Sequence, residues 1–231
     1  TSTTIAGIQV LRGISCQITR GSMVAIVGRN GAGKTTLLRL IMGFREGHSG
    51  RVLLDGQDLA EVPARRRALL GIGYAPEDRV MFPSFTVEAN LRFPCEVIRM
   101  PRKGINERLE ETLSIVPELR PMLARSGAAL SGGQGKMAAL GRAIMAGERV
   151  VLLDEPTQGM GHEDVARVTE LIKKVAAGRT VLMVEHNMNV VASIADTITV
   201  LARGSVIAEG PYEVVSKNPE VLQAYMGSAE T

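Results

Sequence analysis

Short, unbroken apolar runs alternate with stretches of helical spacing along most of the chain. The runs Met23-Val24-Ala25-Ile26-Val27, Val150-Val151-Leu152-Leu153 and Val181-Leu182-Met183-Val184 are rich in β-branched residues, the pattern of strands buried on both faces of a parallel sheet. Residues 36–42 and 136–146 place apolar side chains at helical spacing, and the first of these stretches ends at Gly43. Two flanking segments read differently. The chain up to about Gly21 and residues 50–57 look like hairpins, the second with Asp55-Gly56 as its turn, so an antiparallel flank is expected there. From Glu77 to Leu130 the texture changes again, as Pro83, Pro94, Pro101, Pro117 and Pro121 divide short helical stretches such as 106–115. The expectation is an α/β fold with a mainly parallel sheet and helices on both faces. It is a single domain over residues 1–231, carrying an inserted helical subdomain at about 77–135, without repeats or low-complexity tracts.

The loop after the first buried strand specifies chemistry. Gly28-Arg29-Asn30-Gly31-Ala32-Gly33-Lys34-Thr35 fits G-x-x-x-x-G-K-[ST] and lies between a strand and a helix, which predicts a P-loop NTPase core. Glycines let such a loop curl so that backbone N–H groups and the helix N-terminus face phosphate oxygens. Lys34 is expected at the β- and γ-phosphates and the Thr35 hydroxyl at Mg²⁺. Thr36 is read mainly as a helix N-terminal residue, at the edge of the nucleotide-contacting set.

Downstream, the strand 150–153 runs into Asp154-Glu155-Pro156. A buried parallel strand delivers the residues at its C-terminal tip to a site. Asp154 is expected in the Mg²⁺ shell. Glu155 suits the orientation or deprotonation of the attacking water, because phosphoryl transfer needs positioning and charge stabilisation more than covalent help.

A third element, Leu130-Ser131-Gly132-Gly133-Gln134, lies ahead of the helical stretch 136–146, and here the chain resembles the ABC-type ATPases, whose signature is this pentapeptide. The resemblance implies that Ser131, Gly132, Gly133 and Gln134 form a second anion-binding surface at a helix N-terminus. It also implies that two subunits, alike or different, pair head to tail so that the signature of one closes on the ATP of the other. His186, after the strand ending Val184-Glu185, resembles the switch histidine that contacts the γ-phosphate. Gly159-Met160-Gly161 occupies the loop that crosses the dimer interface in the family, with His162 where an aspartate is common.

Two positions depart from the family pattern. Glu77 stands where a glutamine usually follows the strand; it can still join the Mg²⁺–water shell, but an ionised carboxylate cannot donate a hydrogen bond. Ile5 stands where an aromatic residue usually stacks on adenine ahead of Leu11-Arg12-Gly13, in the register running through Gly7. An aliphatic side chain forgoes a stacking term of roughly 0.5–1.5 kcal/mol, which leaves selectivity for adenine open. The chain also has few residues before Ile5 for the family's first strand, so a shortened or processed start is expected.

The resemblance narrows through Tyr74-Ala75-Pro76-Glu77-Asp78-Arg79, residues 86–91, Gly141-Arg142-Ala143-Ile144 and the ending from Val221 through Tyr225 to Gly227. Together these look like the ATPase subunit of a branched-chain or hydrophobic amino-acid importer. Read without the resemblance, Val221, Leu222 and Tyr225 are one apolar face of a C-terminal helix. The resemblance implies ATP and Mg²⁺ as ligands, integral membrane permease subunits as partners, and indirect dependence on an extracytoplasmic solute-binding protein. A peripheral location on the cytoplasmic face of the membrane follows. The groove beside the Glu77 loop would receive a short helix of the permease; Met81, Phe82 and Phe85 either line it or pack as core.

Composition fits this picture. With 231 residues and 45% hydrophobic composition the chain can bury a full α/β core. No apolar stretch approaches the ~18–20 residues that span a bilayer, and the first residues do not follow the basic-then-apolar order of a signal segment. Cys16 and Cys95 have neither zinc-site nor C-x-x-C spacing, and a reducing compartment is expected. Arg65-Arg66-Arg67 reads as a solvated helix face, with an anionic contact as the alternative. A net charge of +3 with 3% aromatic residues offers little for nucleic-acid binding, and no nucleic-acid partner is expected. The competing class is a soluble mechanical ATPase acting on nucleic acid or ribosomes, but the long insertions or paired cassettes usual in that class are absent from this sequence. A regulatory nucleotide-binding module without turnover is a weaker third reading, against which Lys34 and Glu155 both count.

Overall fold

The computed structural model describes residues 1–5, 8–44, 48–78 and 81–226. It divides into two compact units, one made of Thr1–Arg65 with the chain from Leu182 onward, the other of Arg66–Val181.

In the first unit, β1 (Ser2–Ile5) pairs antiparallel with β2 (Ile8–Leu11) and with β4 (His48–Ser49). A first strand therefore does form within the few residues available, at a length of 4 residues. Gly7, through which the register to Ile5 was counted, lies outside the described residues. Between these strands the chain makes β3 (Met23–Val27), buried at every position, and α1 (Lys34–Ile41). A small hairpin follows, β5 (Leu53–Leu54) against β6 (Gln57–Asp58). Its turn residues Asp55 and Gly56 both have positive φ, 48° and 84°. This is the sign required by the two-residue turn that matches strand twist, as the Asp-Gly pair predicts.

The second unit opens with a 3₁₀ segment, Ala64–Leu70, whose first residues belong to the first unit. Arg65 and Arg66 are exposed as expected, whereas Arg67 is buried, and desolvation lowers its pKa. β7 (Ile72–Ala75) follows, then α2 (Val87–Val97), α3 (Arg102–Ile115) and α4 (Gly132–Ala146). α2 and α3 both pack on α4. Pro94 does not separate two helices, because it lies inside α2. Pro101 caps α3, which consequently begins ahead of the expected 106–115 and buries Ile105, Leu109 and Leu113 along one stripe. Cys95 is fully buried with its thiol directed to the Met145 carbonyl at 3.3 Å, and desolvation raises its pKa. β8 (Val150–Asp154) runs parallel to β7, with Ala75 opposite Leu153, and α5 (His162–Ala176) follows.

β9 (Thr180–Val184), buried throughout, carries the chain back into the first unit. There follow α6 (Met188–Ile194), β10 (Thr197–Ala202), β11 (Ser205–Gly210), α7 (Tyr212–Val215) and α8 (Pro219–Met226). β10 is parallel to β3 and antiparallel to β11. The hydrogen-bonded order is β11-β10-β3-β9 in the first unit and β9-β8-β7 in the second, the division falling within β9. This is the mainly parallel α/β sheet with antiparallel strands that the sequence predicts. In α8 Val221 is buried and Leu222 exposed; Gly227, at the end of the C-terminal pattern, lies outside the described residues. Among the described residues no helix is long and apolar enough to cross a membrane.

Candidate functional site

The phosphate loop leaves the buried end of β3 and turns into α1. Two of its glycines are fixed by space. A Cβ on Gly28 would stand 2.4 Å from the Leu201 carbonyl oxygen, and one on Gly33, at φ 103°, 2.7 Å from Leu11 Cδ2. Gly33 is also the N-cap of α1, and no side-chain hydrogen bond caps this helix start. A glycine N-cap at a helix N-terminus is the arrangement that receives anions. Ala32 N–H donates to the Arg29 carbonyl at 3.0 Å and closes the loop on itself. Lys34 is buried, and its Nζ donates to the carbonyls of Gly28 at 2.8 Å and Arg29 at 3.3 Å, so the ammonium lies across the curled loop. Thr35 and Thr36 are half-buried in the first turn of α1; Arg29, Asn30 and Gly31 are exposed. A curled backbone, a helix N-terminus and a lysine converging on one loop fit a polyphosphate.

The same unit carries His186. The expectation placed it at the end of a strand, but β9 stops at Val184 because the Glu185 side chain intervenes. Glu185 is fully buried, and its Oε2 accepts from the backbone N–H groups of His186 at 3.0 Å and Asn187 at 3.2 Å. Asn187 in turn caps α6 through the N–H groups of Asn189 and Val190. His186 is exposed, with Nδ1 3.9 Å from Glu185 Oε2. Ile5 forms the end of β1; its side chain is outside the described part of the chain.

The second unit gathers the carboxylates. Asp154 and Glu155, at the end of β8, are both buried. Tyr74 on β7 donates its phenolic hydrogen to Asp154 Oδ2 at 3.0 Å. Glu155 has φ 48°, a left-handed backbone rare outside glycine. Its carbonyl accepts from Lys136 Nζ at 2.6 Å and from the Gln158 N–H at 3.2 Å.

Ser131 is the N-cap of α4, whose first residue, Gly132, comes four residues earlier than the apolar spacing alone indicates. Its side chain and that of Gln134 form a reciprocal capping box: Ser131 Oγ accepts from Gln134 N–H at 3.4 Å, and Gln134 Oε1 accepts from Ser131 N–H at 3.1 Å. The S-x-x-Q spacing was the available signal for this helix start. Because Oγ acts as acceptor in that bond, its own hydroxyl hydrogen can be given to an anion. Ser131, Gly132, Glu77, Asp78 and Gln158 line one open depression of about 570 Å³, whereas Asp154 and Glu155 line a small neighbouring cavity with Pro76 and Lys136. Arg79, in the loop after Glu77, lies outside the described residues.

Beside that depression Phe82, Phe85 and Phe93 cluster, with ring centroids 4.8 to 6.0 Å apart. The buried Asn90 side chain fixes their loop, accepting from Phe82 N–H at 2.8 Å and donating to the Phe82 carbonyl at 3.1 Å. Phe82 and Phe85 are each 38% exposed, so they are not simply core. Sequence reading missed Tyr74, Lys136 and Asn90, whose roles depend on contacts distant in sequence or on a loop geometry that no motif marks.

Comparison with known proteins adds three findings. The family model described as "ABC transporter" matches residues 11–158, and that described as "Branched-chain amino acid ATP-binding cassette transporter" matches 205–231. The chain is 31% identical over 227 residues to the high-affinity branched-chain amino acid transport ATP-binding protein BraG of Pseudomonas aeruginosa, covering 98% of this chain and 97% of that one. It is also 35% identical over 225 residues to the methionine import ATP-binding protein MetN of Corynebacterium jeikeium, covering 94% of this chain and 60% of that one. Among solved structures it superposes on an ATP-binding cassette of an ABC transporter in its ADP conformation. That match has a TM-score of 0.81 and 27% identity, and covers 98% of this chain and 96% of the other.

Proposed function

Because the chain belongs to the ABC transporter ATP-binding family, we propose that it is the subunit whose ATP hydrolysis energises import of branched-chain or other amino acids or small amides. The observation that carries the nucleotide reading is the phosphate loop, where Gly28 and Gly33 admit no side chain and Lys34 lies across the curl. The substrate class rests on the match of residues 205–231 and on the relation to BraG. The similar identity to MetN marks how far this family varies in what it transports.

In this reading the loop 28–33 and the start of α1 bind the triphosphate, Lys34 pairs with the β- and γ-phosphates, and Thr35 and Asp154 hold Mg²⁺, with Glu77 in its water shell. When bound, Mg²⁺ neutralises phosphate charge. Among the described residues no three His, Cys, Asp or Glu side chains are grouped to hold a metal ion, which suits an ion that takes much of its shell from phosphate and water. Glu155 orients and deprotonates the attacking water, and His186 steadies charge at the γ-phosphate.

Two copies, or this chain and a homologous one, would close head to tail, with Ser131 and the N-terminus of α4 in one copy gripping the γ-phosphate held by the other. Loss of that phosphate removes the bridge and lets the dimer relax. The coupling works only if ATP binds the closed dimer more tightly than the open one. Residues 77–135, as the helical subdomain, would pass this motion to permease subunits at the cytoplasmic face of the membrane, the Phe82–Phe85 edge receiving a short permease helix.

The test is purification with native partners. Co-purification of polytopic membrane proteins and Mg²⁺-dependent phosphate release are expected. Salt-sensitive capture of nucleic acid without membrane partners would contradict the transport assignment.

A further inference from the structure

Lys136 lies on α4, five residues after the signature serine, and is 9% exposed. Lysine is rarely buried unless its ammonium is partnered. Here Nζ reaches the backbone carbonyl of Glu155 at 2.6 Å, a short charge-assisted hydrogen bond. Glu155 at φ 48° is in a conformation that a non-glycine residue keeps only where its surroundings over-determine it. The Gln158 N–H shares the same carbonyl at 3.2 Å and closes the turn after β8. Lys136 also lines the small cavity that Asp154 and Glu155 line.

We propose that Lys136 is a positioning residue for hydrolysis: by holding the Glu155 carbonyl it fixes the left-handed backbone that presents the Glu155 carboxylate, and it ties that carboxylate to the helix headed by Ser131. The inference rests on the role given to Glu155 above. Because Ser131 and Lys136 share one helix, displacement of the helix N-terminus on gripping a phosphate is transmitted to Glu155 through the hydrogen bond from Lys136 Nζ to its carbonyl. The bond acts on orientation and not on nucleotide contact, so its loss falls on kcat rather than KM.

The experiment compares steady-state phosphate release and ATP affinity for wild type, Lys136→Met, Lys136→Arg, Glu155→Gln and the Lys136→Met/Glu155→Gln double variant, each in complex with its co-purified partners. Lys136→Met is expected to lower kcat at least about tenfold while KM for ATP stays within about twofold, and Lys136→Arg, which keeps a charged donor, to recover most of the loss. In the Glu155→Gln background Lys136→Met is expected to cost nothing further. Wild-type kcat in Lys136→Met would overturn the inference, as would an equal loss in the Glu155→Gln background, or a loss of ATP affinity that arginine does not rescue. If Lys136→Met does not fold, Lys136→Ala, which also removes the donor, carries the same comparison. Normal turnover by Glu155→Gln would instead remove the role given to Glu155. An inactive Glu155→Gln beside a fully active Lys136→Met would remove only the role given to Lys136.

Discussion

The Tyr74 phenol and the Asp154 carboxylate meet at the ends of two parallel strands, with Tyr74 Oη donating to Asp154 Oδ2 at 3.0 Å. A hydrogen bond from a fixed donor orients a ligating carboxylate and sets which lone pairs it offers to a metal. Tyr74→Phe keeps the ring and removes the donor. It is expected to raise the Mg²⁺ concentration for half-maximal ATPase activity by about tenfold while changing the melting temperature little. A Mg²⁺ titration of turnover checks this, and an unchanged midpoint would separate Tyr74 from the metal.

The phosphate loop allows a sharper comparison between two glycines. Gly31 and Gly33 both have positive φ, 82° and 103°, but a Cβ on Gly31 meets open space whereas one on Gly33 strikes Leu11 and approaches the Val10 carbonyl. Gly31→Ala is expected to cost about 1 kcal/mol of stability through backbone strain alone. Gly33→Ala must also displace β2 or the start of α1, and is expected to weaken ATP binding by more than about tenfold. Equilibrium binding of a fluorescent ATP analogue distinguishes the two.

Ser131 caps α4, and the proposed function gives it a second, separable task of facing phosphate. Aspartate is as good an N-cap as serine, so Ser131→Asp is expected to retain the melting temperature. It brings a negative charge to the surface assigned to the γ-phosphate, and turnover should fall by about a hundredfold or more while ATP binding to a single subunit is retained. Turnover near wild type would confine Ser131 to capping.

The elements that were legible in the sequence are those whose periodicity and local chemistry agree. β3, β8 and β9 were readable as buried runs, and the β5–β6 hairpin because Asp55-Gly56 has the one backbone sign that such a turn needs. The α4 start was misplaced because its glycines carry no hydrophobic signal, although Ser131 and Gln134 were already spaced as a capping box. Pro94 was misread because a proline can sit inside a helix when packing compensates for the missing bond. Arg67 was taken as solvated because composition does not reveal which of three arginines turns inward. The loops assigned here to phosphate and metal were read from spacing, which records what the backbone must do locally. Tyr74, Glu185 and Lys136 were not, since each acts through a hydrogen bond whose geometry exists only after the chain has folded.

The hydrolytic role proposed for Glu155 is tested most directly by the behaviour of Glu155→Gln with ATP and Mg²⁺. Removal of a general base typically costs 10²- to 10⁴-fold, roughly, in turnover, with binding left intact. The variant is therefore expected to bind ATP, release phosphate at least about a hundredfold more slowly than wild type, and double its mass by light scattering in ATP but not in ADP. A variant that hydrolyses at the wild-type rate and stays monomeric in ATP would contradict it.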